Sequence, residues 1–457
     1  MSSNTKILTL KDIIIMAVVA NFGIRWIPAA ATLGSSAIFF WLLSGLLFFL
    51  PLVIMAVQLS ALHPDEGGLY SWTKKALGSQ SGFMVAWLYW VNTLFFYPGI
   101  LIFLATNFAY FLGKPELTQN QHYITTSVLI AFWSITLLSL LGMRANKYMV
   151  MIGGILGSFI PVITIIALGF AAFLHSGHSA TAFTAPHLLP QSSVMSSLST
   201  LTMIMFAMAG IEIIPTFANA IQKARKTLFT GLSIAAVILF SLYLLGTVAV
   251  NLVLSPDQVQ KAAGLMQTFS AIGSTLHLTW FSQTMAFLLT FAEFAAVSIW
   301  LLAPIIMFFK CTERGILPDW FHRTNRFNAP QNALLFMGLV VSAIMLMSTY
   351  LPTVNDMYEI LILMSTVLYF IPYLYLVVAY IKLHHSPYRY LYGTLAFLST
   401  SLGIAFSFQP PDSVVMSHHT TSYLTEMILG PVVFLLLGWW LYRFRGPHNN
   451  DTPAPNA

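Results

Sequence analysis

Two hexapeptides of the chain read Gly23-Ile24-Arg25-Trp26-Ile27-Pro28 and Gly210-Ile211-Glu212-Ile213-Ile214-Pro215, 187 positions apart and with opposite charge at the third residue. Each lies inside a long apolar segment. Glycine and proline both weaken helical hydrogen bonding, and lipid cannot satisfy the backbone groups that a broken helix exposes. Paired interrupted helices in corresponding positions of two halves are typical of the substrate site of inverted-repeat transporters. The hexapeptides therefore predict two discontinuous helices that meet at one site.

The composition indicates a polytopic membrane protein. Of 457 residues, 58% are hydrophobic and 7% are charged, and the mean hydropathy is +0.79, which excludes a water-soluble globule. A helix needs roughly 20 residues to cross a hydrocarbon core of about 30 Å. The predicted spans are 12–34, 37–59, 83–112, 122–142, 148–174, 193–221, 228–254, 278–308, 331–350, 355–381, 390–408 and 423–444. We expect an all-α membrane protein with 12 transmembrane helices.

The basic residues predict the orientation, because short cytoplasmic loops retain Lys and Arg. With the N-terminus inside, seventeen of the 20 Lys and Arg residues are cytoplasmic, Lys114 and Lys261 are outside, and Arg25 lies within the first span. Both termini are then cytoplasmic. Because these charges are scattered over short loops, the net charge of +6 does not indicate nucleic-acid binding. The predicted domains are a cytoplasmic tail (1–11), one transmembrane domain (12–445) and a disordered C-terminal tail (446–457).

The offset between the hexapeptides also aligns the spans around them. It superimposes spans one to five on spans six to ten, which gives repeats of about 12–174 and 193–381 with two extra helices in 390–444. An odd number of spans per repeat forces opposite orientations in the membrane. The sequence therefore predicts a five-plus-five inverted repeat, with the substrate site near the bilayer midplane.

Three further motifs carry a resemblance to a known family. They are Phe206-Ala207-Met208-Ala209-Gly210-Ile211-Glu212, Glu66-Gly67-Gly68-Leu69-Tyr70-Ser71-Trp72, and Gly315-Ile316-Leu317-Pro318 with Phe321, Asn325 and Pro330. With them, nearly the whole chain resembles the amino acid, polyamine and organocation transporters, and in particular their glutamate/GABA antiporter branch. The resemblance implies a leucine-transporter-like fold with discontinuous first and sixth helices.

The resemblance also implies positions for the substrate. In the first break, backbone N–H groups near Asn21, Gly23 and Ile24 would hold a carboxylate, although Asn21 stands where relatives more often have a glycine. In the second break the corresponding positions are Gly210 and Ile211. Phe206 lies where relatives carry an aromatic gate over the substrate, and ordinary packing is the alternative reading for this residue.

Arg25 is the most unusual single residue, because an arginine within a span costs at least ~2.5 kcal/mol to insert. One interpretation is that its guanidinium binds a substrate carboxylate. The alternatives are a permanent ion pair with Glu212 or Glu293, or a side chain that reaches extracellular water.

The two intramembrane glutamates are candidates for coupling. Glu212 lies beside the second break and could contact a substrate ammonium, sense protons or tether the unwound backbone. Glu293, near the middle of span eight, does not resemble the hydroxyl-rich cation site of sodium-coupled relatives. It favours proton coupling or ion-free antiport, with an Arg25–Glu293 pair as the alternative.

No catalytic constellation competes with transport in this sequence. It contains no phosphate-binding glycine loop and no zinc-ligand spacing on a helix, and its single cysteine, Cys311, cannot form an intramolecular disulfide. We expect no enzyme activity, cofactor or metal. The predicted function is alternating-access transport of zwitterionic or weakly anionic amino acids or derivatives across a bacterial inner membrane, by exchange or proton symport. A cationic amino acid or polyamine carrier and a non-transporting receptor are the alternatives, and the oligomeric state stays open.

Overall fold

The computed structural model describes residues 8–63, 68–141, 143–190, 198–278, 280–311, 316–327, 329–410, 414–415 and 420–446. Its α-helices are, in chain order, α1 (Leu10–Asn21), α2 (Trp26–Ala31), α3 (Ala37–Ser44), α4 (Leu50–Leu62), α5 (Leu69–Leu77), α6 (Ser79–Phe111), α7 (Gln121–Leu140), α8 (Met143–Ser176), α9 (Ala185–Leu188), α10 (Leu198–Ala207), α11 (Ala224–Val253), α12 (Gly264–Thr275), α13 (Phe281–Cys311), α14 (Gln331–Ser348), α15 (Val354–Leu383), α16 (Arg389–Ser407) and α17 (Thr420–Arg445). A π-helix, Gly45–Phe49, joins α3 to α4, and the 3₁₀ helices are Gly34–Ser36, Pro115–Gln119, Ile211–Ala220, Pro256–Gln258 and Asp319–His322.

The all-α membrane class is confirmed. Within the described residues, eleven helices are long and apolar enough to cross a membrane, and the β-structure is one isolated bridge between Leu8 and Ile221. The first predicted span, 12–34, is not among the eleven, because it consists of the two short helices α1 and α2.

Burial separates inner helices from outer ones. The most apolar windows of α15 and of the segment Leu198–Pro215 are 83% buried, whereas that of α17 is 17% buried. The long helix α6 packs against both α15 and α13, and α13 packs against α8. The interrupted segments therefore lie among the buried helices, where an exposed backbone group can find a protein partner.

Two short helices occupy segments that the sequence predicted as connections. They are α5, which precedes α6, and α12, which follows the loop after α11. Both are too short to cross a bilayer. The residues Glu66, Gly67 and Gly315 of the family-like motifs lie outside the described residues.

Candidate substrate site

The first break lies between α1 and α2. Helix α1 ends at Asn21, Phe22 is extended (φ −76°, ψ +116°), and α2 begins at Trp26. The N–H of Gly23 donates to the hydroxyl of Tyr243 in α11 (3.0 Å). A side chain thus replaces the helical acceptor that this N–H lacks.

The second break follows α10. The chain turns at Gly210, whose φ of +111° is rarely accessible to other residues, and continues as the 3₁₀ helix Ile211–Ala220. The N–H of Gly210 donates to the Tyr373 hydroxyl (2.8 Å) and to Oε2 of Glu212 (3.1 Å). Glycine and a buried carboxylate together stabilise this turn.

The two breaks are in direct contact. The hydroxyl of Tyr243 lies 3.1 Å from the carbonyl oxygen of Asn21 and 3.1 Å from that of Ala207. A Cβ atom at Gly210 would lie only 2.5 Å from Oδ1 of Asn21. The ends of α1 and α10 therefore meet with no space for a side chain between them.

Glu212 is held by two tyrosines of α15. Tyr369 donates to its Oε1 and Tyr373 to its Oε2, both at 2.7 Å. With the N–H of Gly210, the carboxylate accepts three hydrogen bonds, and the residue is 4% exposed. Within the described residues it makes no ion pair with Arg25. Of the three roles predicted for Glu212, these contacts match the tethering of the unwound backbone.

Arg25 pairs with Glu293 of α13. Its Nη1 lies 3.4 Å from Oε2, and the two side chains are 11% and 6% exposed. The guanidinium also lies over the rings of Trp26 (4.9 Å) and Phe96 (5.1 Å), a favourable cation–π arrangement. Its buried Nε has no hydrogen-bond acceptor among the described residues. The guanidinium therefore keeps at least one donor that the described part of the chain does not use.

A cavity of about 390 Å³ lies against both breaks, a volume within the range of small-molecule sites. Six of the nine predicted site residues line it: Asn21, Gly23, Arg25, Phe206, Gly210 and Glu293. Ile24, Ile211 and Glu212 do not belong to its wall as the described residues form it, and each is at most 4% exposed.

Aromatic rings form much of the remaining wall. The ring of Phe206 lies 5.4 Å from that of Trp26, 5.6 Å from that of Phe96 and 5.4 Å from that of Tyr369. Asn92 of α6 also lines the cavity and donates to the carbonyl oxygen of Tyr89. The site thus combines an apolar surface with one cation, one carboxylate and a few neutral polar groups.

The family assignment rests on the whole chain. The model of the family described as "Amino acid permease" matches residues 8–440. The chain belongs to the amino acid permease family. Its relatives include an uncharacterized transporter of Legionella pneumophila, which is 26% identical over 96% of this chain and 97% of its own length.

Two further relatives of this permease come from Lactococcus lactis. A glutamate/γ-aminobutyrate antiporter is 24% identical over 93% of this chain and 88% of its own. A probable agmatine/putrescine antiporter is 23% identical over 90% and 89%. The resemblance to amino acid, polyamine and organocation transporters is therefore confirmed, and the chain is a multi-pass membrane protein of a transporter family and not an enzyme.

A second buried ion pair of the permease lies outside the cavity wall. Lys261, in the loop before α12, places its Nζ 2.5 Å from Oε1 of Glu359 in α15. Ser199 of α10 donates to the same oxygen (3.0 Å), and the Lys261 N–H donates to Asn355 Oδ1 (3.1 Å). The pair fastens this loop to α10 and α15.

Sequence reasoning missed the tyrosines and Glu359. Tyr243, Tyr369 and Tyr373 complete the breaks, but the chain has 18 tyrosines and no local pattern distinguishes these three. Glu359 carried a usable signal, because a carboxylate near the start of a predicted span requires a partner. Within the described residues, no group of three or more His, Cys, Asp or Glu side chains is placed to hold a metal ion.

Proposed function

We propose that this permease is a secondary transporter of amino acids or close derivatives, working by alternating access around the cavity at the two breaks. The single observation that carries this proposal is the Arg25–Glu293 pair at the cavity wall, between interrupted helices. The family match and the bacterial antiporters among its relatives support transport.

The charged pair supports a zwitterionic substrate. Arg25 offers a cation to a substrate carboxylate, and Glu293 offers a carboxylate to a substrate ammonium. Their contact of 3.4 Å is longer than the usual 2.7–3.2 Å range, so a substrate that carries both charges can replace it. The exchange leaves neither buried charge unpaired.

Backbone donors of the first break support the position of the carboxylate. The amide N–H groups of Ile24 and Arg25 have no acceptor within the described residues. We propose that they bind the substrate carboxylate together with the guanidinium, beside Asn21 and Gly23. Gly210 frames the opposite side, with Ile211 behind the cavity wall, and Phe206 covers the substrate.

We further propose the complete topology that the sequence predicts. In this topology, α1 and α2 together form the first span and bring the number of spans to twelve. Residues 12–174 and 193–381 form an inverted repeat, and 390–444 add two helices. Residues 1–11 and 446–457 are tails of the domain 12–445. The distribution of basic residues supports cytoplasmic termini in a bacterial inner membrane.

Exchange is the favoured coupling mode, with proton symport as the alternative. The antiporter relatives support exchange. Glu293 is the proposed proton carrier if protons are coupled, since it has one charged partner that the substrate can displace. Glu212 is the proposed link between coupling and the second break, because its carboxylate holds the N–H of Gly210.

The decisive experiment is uptake into proteoliposomes. Labelled glutamate, γ-aminobutyrate, leucine, agmatine and putrescine are offered with and without internal substrate and a pH gradient. Amino acid uptake that needs internal amino acid supports exchange, and uptake driven by the pH gradient supports symport. Preference for agmatine or putrescine contradicts the zwitterion site, and binding without uptake contradicts transport.

A matched pair of variants tests the site itself. We expect Arg25→Gln to reduce amino acid uptake by tenfold or more, because a charged hydrogen bond contributes about 1.5–3 kcal/mol. Arg326→Gln removes the same charge from an exposed loop and serves as the control. Equal uptake by both variants would exclude Arg25 from substrate binding.

A further inference from the structure

A second, larger hollow lies on the outer surface of the bundle. It has a volume of about 1340 Å³. Its wall is formed by the π-helix, α4 and the N-terminal half of α11, together with His384, which follows α15, and Tyr392 of α16. We name it the α4–α11 groove. Its wall shares no residue with the cavity at the breaks.

One end of the groove is strongly basic. Lys223, Arg225 and Lys226 line it, all are exposed, and they form no hydrogen bond or ion pair through their side chains within the described residues. None of the described residues in the groove wall is acidic. Three cations also surround the N-terminus of α11, where the helix dipole already places positive charge. As the described residues form it, this end of the groove holds three cations and no anion.

Two further local features lie beside these cations. Lys223 adopts a left-handed backbone (φ +47°), a strained conformation for lysine that often marks a functional position. His384 lines the same wall, and burial, followed by the charges of His385 and Arg389, lowers its pKa. The buried Nδ1 of His384 has no hydrogen-bond partner in the described chain.

An amide side chain also lies in the groove wall. Gln58 lies one turn before the end of α4, and its Oε1 accepts from Tyr380 (2.6 Å). Its NH₂ group is left as a donor with no acceptor among the described residues. The groove that holds the basic cluster thus also offers a hydrogen-bond donor, which suits the ester oxygens that follow the phosphate of a phospholipid.

The rest of the groove is apolar. Leu46 and Leu50 on one side and Phe229 and Val237 on the other are between 48% and 66% exposed. From Gln58 to Leu46 a helix rises about 18 Å, which is close to the depth of one leaflet of a ~30 Å hydrocarbon core. The groove can therefore follow an acyl chain from the interface to the midplane.

We propose that the α4–α11 groove is a binding site for an anionic phospholipid. The phosphate lies among Lys223, Arg225 and Lys226, the ester region meets Gln58, and one acyl chain follows the apolar trough. Basic pockets between membrane helices are known to recognise anionic head groups. The charge arrangement selects an anionic lipid over a zwitterionic one, and the site does not depend on the proposed transport function.

Native mass spectrometry of the purified full-length protein tests the site. Phosphatidylglycerol and phosphatidylcholine with identical acyl chains are added in equal amounts. We expect preferential retention of phosphatidylglycerol, and loss of that preference at high salt. The variant Lys223→Gln/Arg225→Gln/Lys226→Gln should bind phosphatidylglycerol on the order of 100-fold more weakly, since each cation near the membrane surface contributes about fivefold, with phosphatidylcholine unchanged.

Two further variants separate the site from general charge effects. Arg326→Gln/Arg443→Gln/Arg445→Gln removes three exposed cations elsewhere and should retain the lipid preference. Leu50→Trp fills the trough and should weaken binding of both lipids while the basic end stays intact. The proposal is overturned if the wild type retains both lipids equally, if the two triple variants lose phosphatidylglycerol equally, or if inorganic phosphate displaces the lipid.

Discussion

The two buried ion pairs found among the described residues each join one cation to one carboxylate, but they differ in how closely the charges are paired. Lys261 and Glu359 are 2.5 Å apart, with Ser199 as a third partner and Glu359 only 1% exposed. Arg25 and Glu293 touch through one contact of 3.4 Å at the wall of a cavity. A charge in the membrane interior needs a partner, but the quality of the pairing decides whether it can be exchanged. The closer pairing of Lys261 and Glu359 suits a structural role, and the looser pairing of Arg25 and Glu293 suits the proposed exchange with a substrate.

The same substitution at the two glutamates should separate these roles most clearly. Glu359→Gln leaves Lys261 with no anionic partner, and breaking a buried pair costs about 3–5 kcal/mol. We expect a large fall in the thermal unfolding midpoint in detergent for Glu359→Gln, and a smaller one for Glu293→Gln. Amino acid uptake per folded molecule should fall more for Glu293→Gln. The reverse ranking in either measurement would refute the distinction.

Gly210→Ala should have the next largest effect. The left-handed backbone alone costs about 1–3 kcal/mol for a non-glycine residue, and the added Cβ also meets Asn21 Oδ1 at 2.5 Å. Gly78→Ala is the matched control, because Gly78 also has positive φ (+90°) but open space around it. Thermal unfolding should show a larger loss for Gly210→Ala, and adding Asn21→Ala should recover part of it. No recovery would mean that the breaks are not in tight contact.

Tyr243→Phe should destabilise moderately. It leaves the N–H of Gly23 without its acceptor, and an unsatisfied buried donor costs about 1–3 kcal/mol. Tyr358→Phe is the control, because the Tyr358 hydroxyl is buried and has no partner among the described residues. The unfolding midpoint should fall for Tyr243→Phe and stay near the wild-type value for Tyr358→Phe. Equal shifts would remove the special role of Tyr243.

The smallest expected effect comes from replacing a whole pair. Lys261→Met/Glu359→Met should have a free energy of unfolding within about 1 kcal/mol of the wild-type value, and therefore a similar unfolding midpoint. The reason is that apolar residues can replace a buried pair. The double replacement Arg25→Met/Glu293→Met should restore stability in the same way but not uptake. Restored uptake would show that the cavity needs no charge.

The sequence predicted most of the long helices, because these depend on local composition, and the structure brings six of the nine candidate site residues to one cavity. Long apolar runs identify spans, and the glycines of the two hexapeptides mark positions where the helical ladder stops. It also directed attention to Arg25 and Glu293, since intramembrane charge is rare. These signals can be read without knowing which residues are neighbours.

The partners could not be predicted, because they are set by helix rotation and packing. For Arg25 the sequence leaves open a substrate carboxylate, Glu212, Glu293 or extracellular water as the partner. Only the fold places Glu293 beside it, while Tyr369 and Tyr373 bind Glu212. The helix α12 was missed because a short amphipathic segment in a loop resembles a connection. The Lys261–Glu359 pair joins residues 98 positions apart, a distance at which no local pattern exists.

One hydroxyl joins the two halves of the site. The oxygen of Tyr243 has a single proton but lies equally far, at 3.1 Å, from the carbonyls of Asn21 and Ala207. At any instant it can bond fully to only one of them. If the two helix ends move relative to each other in the proposed transport cycle, this bond can pass from one carbonyl to the other without loss in the total number of bonds.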